Sequence, residues 1–106
     1  MILRSWKAIN RGKLIGKAAV TLPTGMEIDD VPVLREDGGG ARACLPGTPV
    51  IGRDGRVARI PSTDRINYEY PIRWRDKKQA DQFSWAVTML ISEHYGPDAL
   101  EGETQR

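Results

Sequence analysis

The spacing of apolar and polar residues predicts short β-strands along most of the chain. Apolar side chains alternate with polar ones over residues 2–9, 13–22 and 26–34, the period of a strand with one buried face. A short fourth strand is predicted at 41–45. A last strand is predicted at 66–74, where five apolar residues share one parity: Ile66, Tyr68, Tyr70, Ile72 and Trp74.

The alternation also predicts which side chains share a face. In the first strand it puts Leu3 and Trp6 on opposite faces. In the second strand it separates Ile15 from an apolar face made of Leu14, Gly16, Ala18, Val20 and Leu22. The small residues on this strand leave room for a bulky element, most simply a helix packed across the sheet.

Two features interrupt the strand pattern. In the third strand Met26 and Ile28 have one parity and Val31 and Val33 the other, with the slip at Asp29-Asp30. This predicts a β-bulge at the slip, so that both apolar pairs face the core. Pro32 and Pro71 cannot donate a ladder hydrogen bond, so their strands are expected at a sheet edge for part of their length. Asp54-Gly55 is a strong turn signal, within a segment expected to be a small hairpin or a flexible arm.

Residues after Arg75 have the period of an amphipathic helix. Asp76 is a suitable N-cap and Gly96-Pro97 a stop signal, with a stripe formed by Ala80, Phe83, Val87, Leu90, Ile91 and His94. The expected fold is therefore α+β: a mostly antiparallel meander of about five strands with one C-terminal helix packed on it. It is expected to be a single domain over residues 2–96, followed by a polar tail at 97–106.

Composition excludes several classes of protein. The chain has 106 residues, enough for one core, and no run of 18 apolar residues that would cross a membrane. Its start lacks the apolar stretch of a secretory signal, and a single cysteine excludes an internal disulfide. A cytoplasmic location is the expectation.

The residue types that carry out catalysis are sparse. His94 has no marked partner and fits a cap near the helix C-terminus, while Cys44 fits a small buried residue. Asp29 and Asp30 match no calcium loop. We therefore expect no catalytic residue, no metal site and no cofactor, and an enzyme is the weakest of three interpretations.

Charge alternates in blocks along the chain. Residues 1–25 and 53–78 are basic, with net charges of +5 and +4, whereas 26–52 and 79–106 are acidic. If the two basic blocks lie on one face of the domain, they form a patch that can bind a polyanion. The alternative is an ordinary solvated surface of mixed charge. The candidate phosphate contacts are Arg53, Arg56, Arg59, Arg73, Arg75, Lys77 and Lys78, with Lys13 and Lys17 as a second strip.

The aromatic residues add a second signal. Tyr68, Tyr70 and Trp74 interleave with arginines, a combination found on surfaces that bind single-stranded nucleic acid. The alternative is that these rings lie in the core or in a dimer interface. Trp85 lies off the apolar stripe of the helix, which favours contact with a partner or a second copy of the chain.

Three segments, in this order, resemble the stage V sporulation protein G (SpoVG) family of small bacterial regulators. They are "KLIGKAAVTL", "MEIDDVPVL" with its central acids, and "CLPGTPVIGRDGRV", in which Leu45-Pro46 precedes Asp54-Gly55. The resemblance covers residues 2–61 and a terminal helix. It implies a β-sheet with a C-terminal helix, a homodimer, and binding to DNA or RNA.

The chain departs from that family pattern in three places. Gly47 and Thr48 stand where the family has a basic pair, residues 61–75 are an insertion, and only Lys77 and Lys78 match the basic first half of the family's helix. A nucleic-acid-binding regulator is the first interpretation. A dimeric protein-interaction or assembly module without catalytic activity is the alternative.

Overall fold

Four antiparallel strands form the main sheet in chain order. The computed structural model describes residues 1–62 and 66–101. The strands are β1 (Ile2–Arg11), β2 (Leu14–Thr21), β3 (Glu27–Arg35) and β4 (Ala41–Ala43). A separate two-stranded sheet pairs β5 (Thr48–Pro49) with β6 (Tyr68–Glu69), and the helix α1 (Lys77–Tyr95) packs on the main sheet. The expected α+β class is confirmed.

The predicted strand at 66–74 is wrong in extent. Only Tyr68–Glu69 forms a strand, with an isolated bridge between Ile66 and Arg59. Pro71 lies outside any strand, where the chain turns toward the helix. The alternation in this segment therefore does not mark a buried sheet face, and its apolar side chains are largely exposed.

Bulges change the faces that simple alternation predicts. In β1 the pairing shifts between Leu3 and Ser5, so that Arg4 is an extra residue and both Leu3 and Trp6 pack against the core. In β2 the pairing with β3 shifts at Ile15, which is fully buried. The predictions for Trp6 and Ile15 are therefore wrong, because one extra residue inverts the alternation beyond it.

The predicted bulge at Asp29-Asp30 is confirmed. Ile28 pairs with Val20 and Val31 pairs with Ala18, so β3 has one residue more than β2 between these two pairs. Asp30, one of the residues in this interval, has a φ of 56°. The Arg4 guanidinium bridges this irregularity. It donates hydrogen bonds to the carbonyl oxygens of Val20 (3.0 Å) and Ile28 (3.3 Å) and pairs with Asp29 at 2.9 Å.

Pro32 limits the pairing of β3 with β4, as expected for a strand that is an edge for part of its length. The amide of Cys44 donates to the carbonyl of Pro32 at 2.9 Å. Proline has no N–H to return the bond, so the ladder ends at this point. The three residues of β3 that pair with β4, at positions 33–35, all lie on the C-terminal side of Pro32.

The space above Gly16 is filled by an aromatic ring of the neighbouring strand. A Cβ at Gly16 would lie 2.6 Å from Cη2 of Trp6 and would also meet the carbonyl of Lys7. The expectation that the small residues of β2 make room for a helix is therefore wrong at this position. The glycine is needed because the Trp6 side chain crosses β2 here.

The helix begins and ends where the sequence predicts. The Asp76 carboxylate accepts a hydrogen bond from the amide of Gln79 at 2.9 Å, and Gly96 follows the last turn with a φ of 90°. Its buried side chains are Phe83, Ser84, Val87 and Ile91. Ser84 Oγ accepts a hydrogen bond from the amide of Ala43 at 3.0 Å, which ties the helix to β4.

Residues 46–75 are here called the arm, and its described residues, 46–62 and 66–75, are held together mainly through their backbone. Val50 donates to Asn67, Asn67 to Ala58 and Ala58 to Val50, at 2.7–2.9 Å, which closes a ring of three hydrogen bonds. The chain's radius of gyration is 14.8 Å. A compact chain of this length has a radius of about 13 Å, so the molecule is slightly less compact than is usual for its length.

The C-terminal residues are packed further than predicted. Pro97–Leu100 forms a short 3₁₀ helix, and both Ala99 and Leu100 contact the core. The polar tail therefore does not begin at residue 97; residues 102–106 lie outside the described part of the chain. No helix among the described residues is both long and apolar enough to cross a membrane.

Candidate nucleic-acid interface

The tip of the arm carries two arginines on a well-defined turn. The predicted Asp54-Gly55 turn is confirmed: Gly55 has a φ of 77°, and Asp54 Oδ1 accepts a hydrogen bond from the amide of Arg56 at 2.9 Å. Arg53 and Arg56 are exposed on either side of it. Neither guanidinium forms an ion pair with a carboxylate of the described residues.

More basic residues follow where the arm meets the helix. Arg73, Arg75 and Lys78 are exposed and have no carboxylate partner within the described ranges, whereas Lys77 pairs with Asp81 at 2.8 Å. The first turn of α1 has no acidic residue, and its Asp76 carboxylate is used as the cap. This end of the helix therefore combines exposed cations with the positive end of the helix dipole.

In the chain, Arg59 lies between the arginines at the tip of the arm and the basic residues beside the helix. It is exposed at the bridge to Ile66, on the stem of the arm.

The first basic block is placed differently from the second. Arg4 pairs with Asp29, and Lys13 pairs with Asp37 at 3.1 Å, so both cations are matched by the acidic block that follows them in the chain. Lys17 has no such ion pair but lines a groove beside Asp29 and Asp30. The proposed second strip is therefore offset by acids. Among the described residues, the cations without a carboxylate partner include three of the first block (Lys7, Arg11 and Lys17) and five of the second (Arg53, Arg56, Arg73, Arg75 and Lys78).

Lys17 is nevertheless close to the base of the arm. A groove of about 570 Å³ runs between the open face of the sheet and the arm; it is lined in part by Lys17, Asp30, Pro32, Gly47, Tyr68 and Tyr70. Tyr68 and Tyr70 are 46% and 52% exposed. Of the interleaved aromatic residues, the two tyrosines are therefore available on the surface, whereas Trp74 packs against the core.

Sequence reasoning missed Arg42. This arginine lies on β4, where its guanidinium pairs with Asp81 Oδ1 at 2.9 Å, while Lys77 binds the other oxygen of the same carboxylate. Hydrogen bonds from Lys77 and Arg42 hold the pKa of the Asp81 carboxyl below its usual value. Arg42 and Arg73 line one pocket, although 31 positions separate them in the chain.

That pocket, here called the Tyr70 pocket, has a volume of about 310 Å³. It is lined in part by Arg42, Leu45, Tyr70, Ile72, Arg73 and Trp74. The Trp74 ring packs against Phe83 with centroids 5.2 Å apart, and its buried Nε1–H has no acceptor among the described residues. A buried donor without a partner costs about 1–3 kcal/mol.

The free face of α1 carries a small apolar patch. Trp85 is 66% exposed, as its position off the apolar stripe predicts, and Met89 one turn later is 40% exposed. Nothing in the described chain covers them. This patch lies on the helix itself, away from the residues that line the Tyr70 pocket.

The groups considered for other chemistry are placed as follows. Cys44 is half-buried, and burial raises the pKa of its thiol against the opposing effect of Arg42. His94 is exposed in the last turn of α1. Within the described residues, no three His, Cys, Asp or Glu side chains are grouped to hold a metal ion.

Three comparisons with known proteins leave the family open. A scan against models of protein families, a search of curated proteins and a search of solved structures each found no match to this chain.

Proposed function

We propose that this chain is a nucleic-acid-binding protein, a regulator of the kind that the SpoVG resemblance implies, and that the second basic block contacts phosphates of DNA or RNA. The observation that carries the proposal is a set of five exposed, uncompensated cations in the second block. Arg4 and Lys13 are paired with acids, whereas Arg53, Arg56, Arg73, Arg75 and Lys78 have no carboxylate partner in the described chain.

Unpaired arginines are suited to this role. Phosphate contacts require exposed cations that are not already neutralised, and each contact adds affinity through the release of condensed counterions. The turn at Asp54-Gly55 holds Arg53 and Arg56 at the end of a projecting arm, where a polyanion can approach. Tyr68 and Tyr70 add faces on which bases can stack. The proposal includes no catalytic step.

The test is a fluorescence-anisotropy titration of labelled single- and double-stranded DNA and RNA at about 50 and about 200 mM salt. Binding is expected to weaken at the higher salt. Replacing Arg53 and Arg56 by alanine should weaken it at both, and should lower the slope of log affinity on log salt by about one for each lost contact.

The control removes the same charge from the other block. Lys7→Ala with Arg11→Ala also deletes two exposed cations, on β1, and should leave the affinity close to that of the natural chain. Absence of binding at low salt would refute the proposal. Equal losses for the two double variants would show that net charge, and not the arm, carries the affinity.

A second candidate function rests on the exposed pair Trp85 and Met89. An uncovered tryptophan beside a methionine is typical of a protein interface, and it favours a homodimer or another assembly formed through α1. Light scattering at micromolar concentration tests it: a dimer that Trp85→Lys converts to a monomer supports this function. Met26→Lys, an equally exposed position away from α1, is the control, and a monomeric natural chain would contradict it.

A further inference from the structure

The Tyr70 pocket lies between the end of β4, residues 70–74 of the arm and the first turn of α1. Leu45, Ile72, Tyr70 and Trp74 make its apolar wall, and two guanidinium groups also line it. Its volume of about 310 Å³ is near the lower end of the range for small-ligand sites. The site therefore suits one compact ring and not an extended chain.

We propose that this pocket binds a single unpaired nucleobase of a single-stranded nucleic acid, with the base against Tyr70 and the adjoining phosphate on Arg73. The inference rests on the proposed function and makes it more specific. It assigns base contact to a cavity, whereas the arm tip contributes phosphate contacts alone.

The chemistry of the lining favours a base over a hydrocarbon. A purely apolar ligand would bring no charge to the two arginines that line the pocket. A nucleobase offers a flat face for an aromatic ring and carbonyl or ring-nitrogen acceptors at its edge. Its phosphate supplies the negative charge that the guanidinium groups attract.

The two arginines have different roles. Arg42 is held by Asp81, which Lys77 also binds, so its guanidinium is fixed in position and its charge is compensated. Arg73 has no carboxylate partner among the described residues and remains available for a phosphate. The pocket thus combines a positioned donor with an uncompensated cation.

Tyr70 is the ring best placed to stack on a base. It lines both the pocket and the sheet groove, and half of its surface is exposed. On its inner side it lies against Gly47, where a Cβ would come within 2.7 Å of the ring carbon Cε1. The missing side chain lets the ring rest on the backbone and leaves another part of it free.

Duplex DNA or RNA would not use this pocket. Bases in a duplex are stacked on their neighbours, and their faces are hidden. A single strand presents these faces, and every base has one, so recognition through Tyr70 tolerates different sequences. The inference therefore predicts a preference for single strands that contain bases over strands that carry only the sugar-phosphate backbone.

The test compares a labelled oligothymidine strand with an abasic strand of equal length and charge. The natural chain should bind the oligothymidine about tenfold more tightly, the effect of one stacked base. Tyr70→Ala should abolish this preference and leave binding of the abasic strand unchanged. Tyr95→Ala is the matched control, because Tyr95 is as exposed as Tyr70 but lies at the far end of α1 and does not line the pocket.

A second variant fills the cavity without removing a ring. Ala80 lines the pocket from the first turn of α1, and Ala80→Leu should reduce the preference for oligothymidine as Tyr70→Ala does. Circular dichroism and thermal unfolding of each variant confirm that it folds.

The outcomes separate this inference from the proposed function. Equal, salt-dependent binding of both strands would overturn the pocket and leave the arm's phosphate contacts in place. A preference for oligothymidine that survives both Tyr70→Ala and Ala80→Leu would overturn the assignment to this pocket. No binding of either strand at low salt would overturn the proposed function and this inference with it.

Discussion

The helix-covered sheet and the arm are held together by different interactions. All ten buried apolar side chains come from β2, β3, β4 and α1, and the described residues of the arm contribute none. In the arm, large apolar side chains such as Ile51 and Ile72 are exposed. Backbone hydrogen bonds and a tight turn give the arm its shape instead.

This difference separates folding from binding. Burial of apolar surface is the largest favourable contribution to folding, whereas a small two-stranded sheet alone is only marginally stable. The sheet and α1 therefore determine whether the chain folds. Apart from Trp74, which packs against Phe83, the described side chains of the arm lie outside this core, so its arginines and tyrosines are available to a ligand.

The sharpest test of the comparison replaces the same residue type in both regions. Ile91 on α1 is fully buried, and Ile91→Ala should destabilise the fold by about 2–5 kcal/mol. Ile51 is 60% exposed in the arm, and Ile51→Ala should change the free energy of unfolding by less than about 0.5 kcal/mol. Urea unfolding measures both; similar losses would show that the arm belongs to the folding core.

A pair of glycines gives a second test. Gly16→Ala brings a methyl group into the Trp6 ring and the Lys7 carbonyl, and should destabilise the sheet by about 1–3 kcal/mol.

Gly47→Ala meets only the exposed ring of Tyr70, which can rotate away. Its free energy of unfolding should stay near that of the natural chain, while the affinity for oligothymidine falls. A large loss of stability for Gly47→Ala in thermal unfolding would contradict the separation of the two regions.

Asp81 ties α1 to β4 within the helix-covered sheet, and its effect depends on pH. Because its pKa is lowered in the folded state, the carboxylate stabilises the fold above the unfolded-state pKa of about 3.9 and loses this effect as the pH falls through the folded pKa. Asp81→Asn should therefore be less stable than the natural chain at pH 7.

The difference between them should shrink on acidification below about pH 4. Urea midpoints measured across this pH range follow it, with Glu93→Gln on the same helix as the control. A constant difference at every pH would show that the ion pairs of Asp81 with Lys77 and Arg42 do not contribute.

The smallest expected effect concerns the arm's tip. Arg53→Ala with Arg56→Ala should leave the free energy of unfolding within about 0.5 kcal/mol of the natural value, because both side chains are exposed and unpaired in the described chain. Urea unfolding and oligonucleotide binding, measured on the same preparation, test this expectation. A loss of affinity that follows a loss of stability would mean that these arginines hold the arm together.

Local patterns predicted those parts of the fold that depend on neighbours in sequence. The ends of α1 follow from Asp76 and Gly96, the turn at the arm's tip from Asp54-Gly55, and the bulge in β3 from the slip at Asp29-Asp30. The helix ends and the turn depend on interactions within a few residues, and the bulge in β3 is marked by a slip in the alternation of its own strand.

The failures have a common physical reason. The faces of Trp6 and Ile15 depend on bulges that arise only when two strands pair, because an extra residue is defined by its partner strand. The segment 66–74 alternates like a buried strand, yet only two of its residues find a strand partner. Its alternation marks side chains along the arm and not a core face.

The candidate site divides in the same way. Charge and aromatic content are properties of composition and order, so they already identify the residues that can meet a polyanion. Which cations are compensated follows from the packed chain: Arg4 and Lys13 meet acids 25 and 24 positions away, and Arg42 meets Asp81 across the β4–α1 contact. Such pairing depends on how the strands and the helix pack, because distant charges become neighbours only when the core forms.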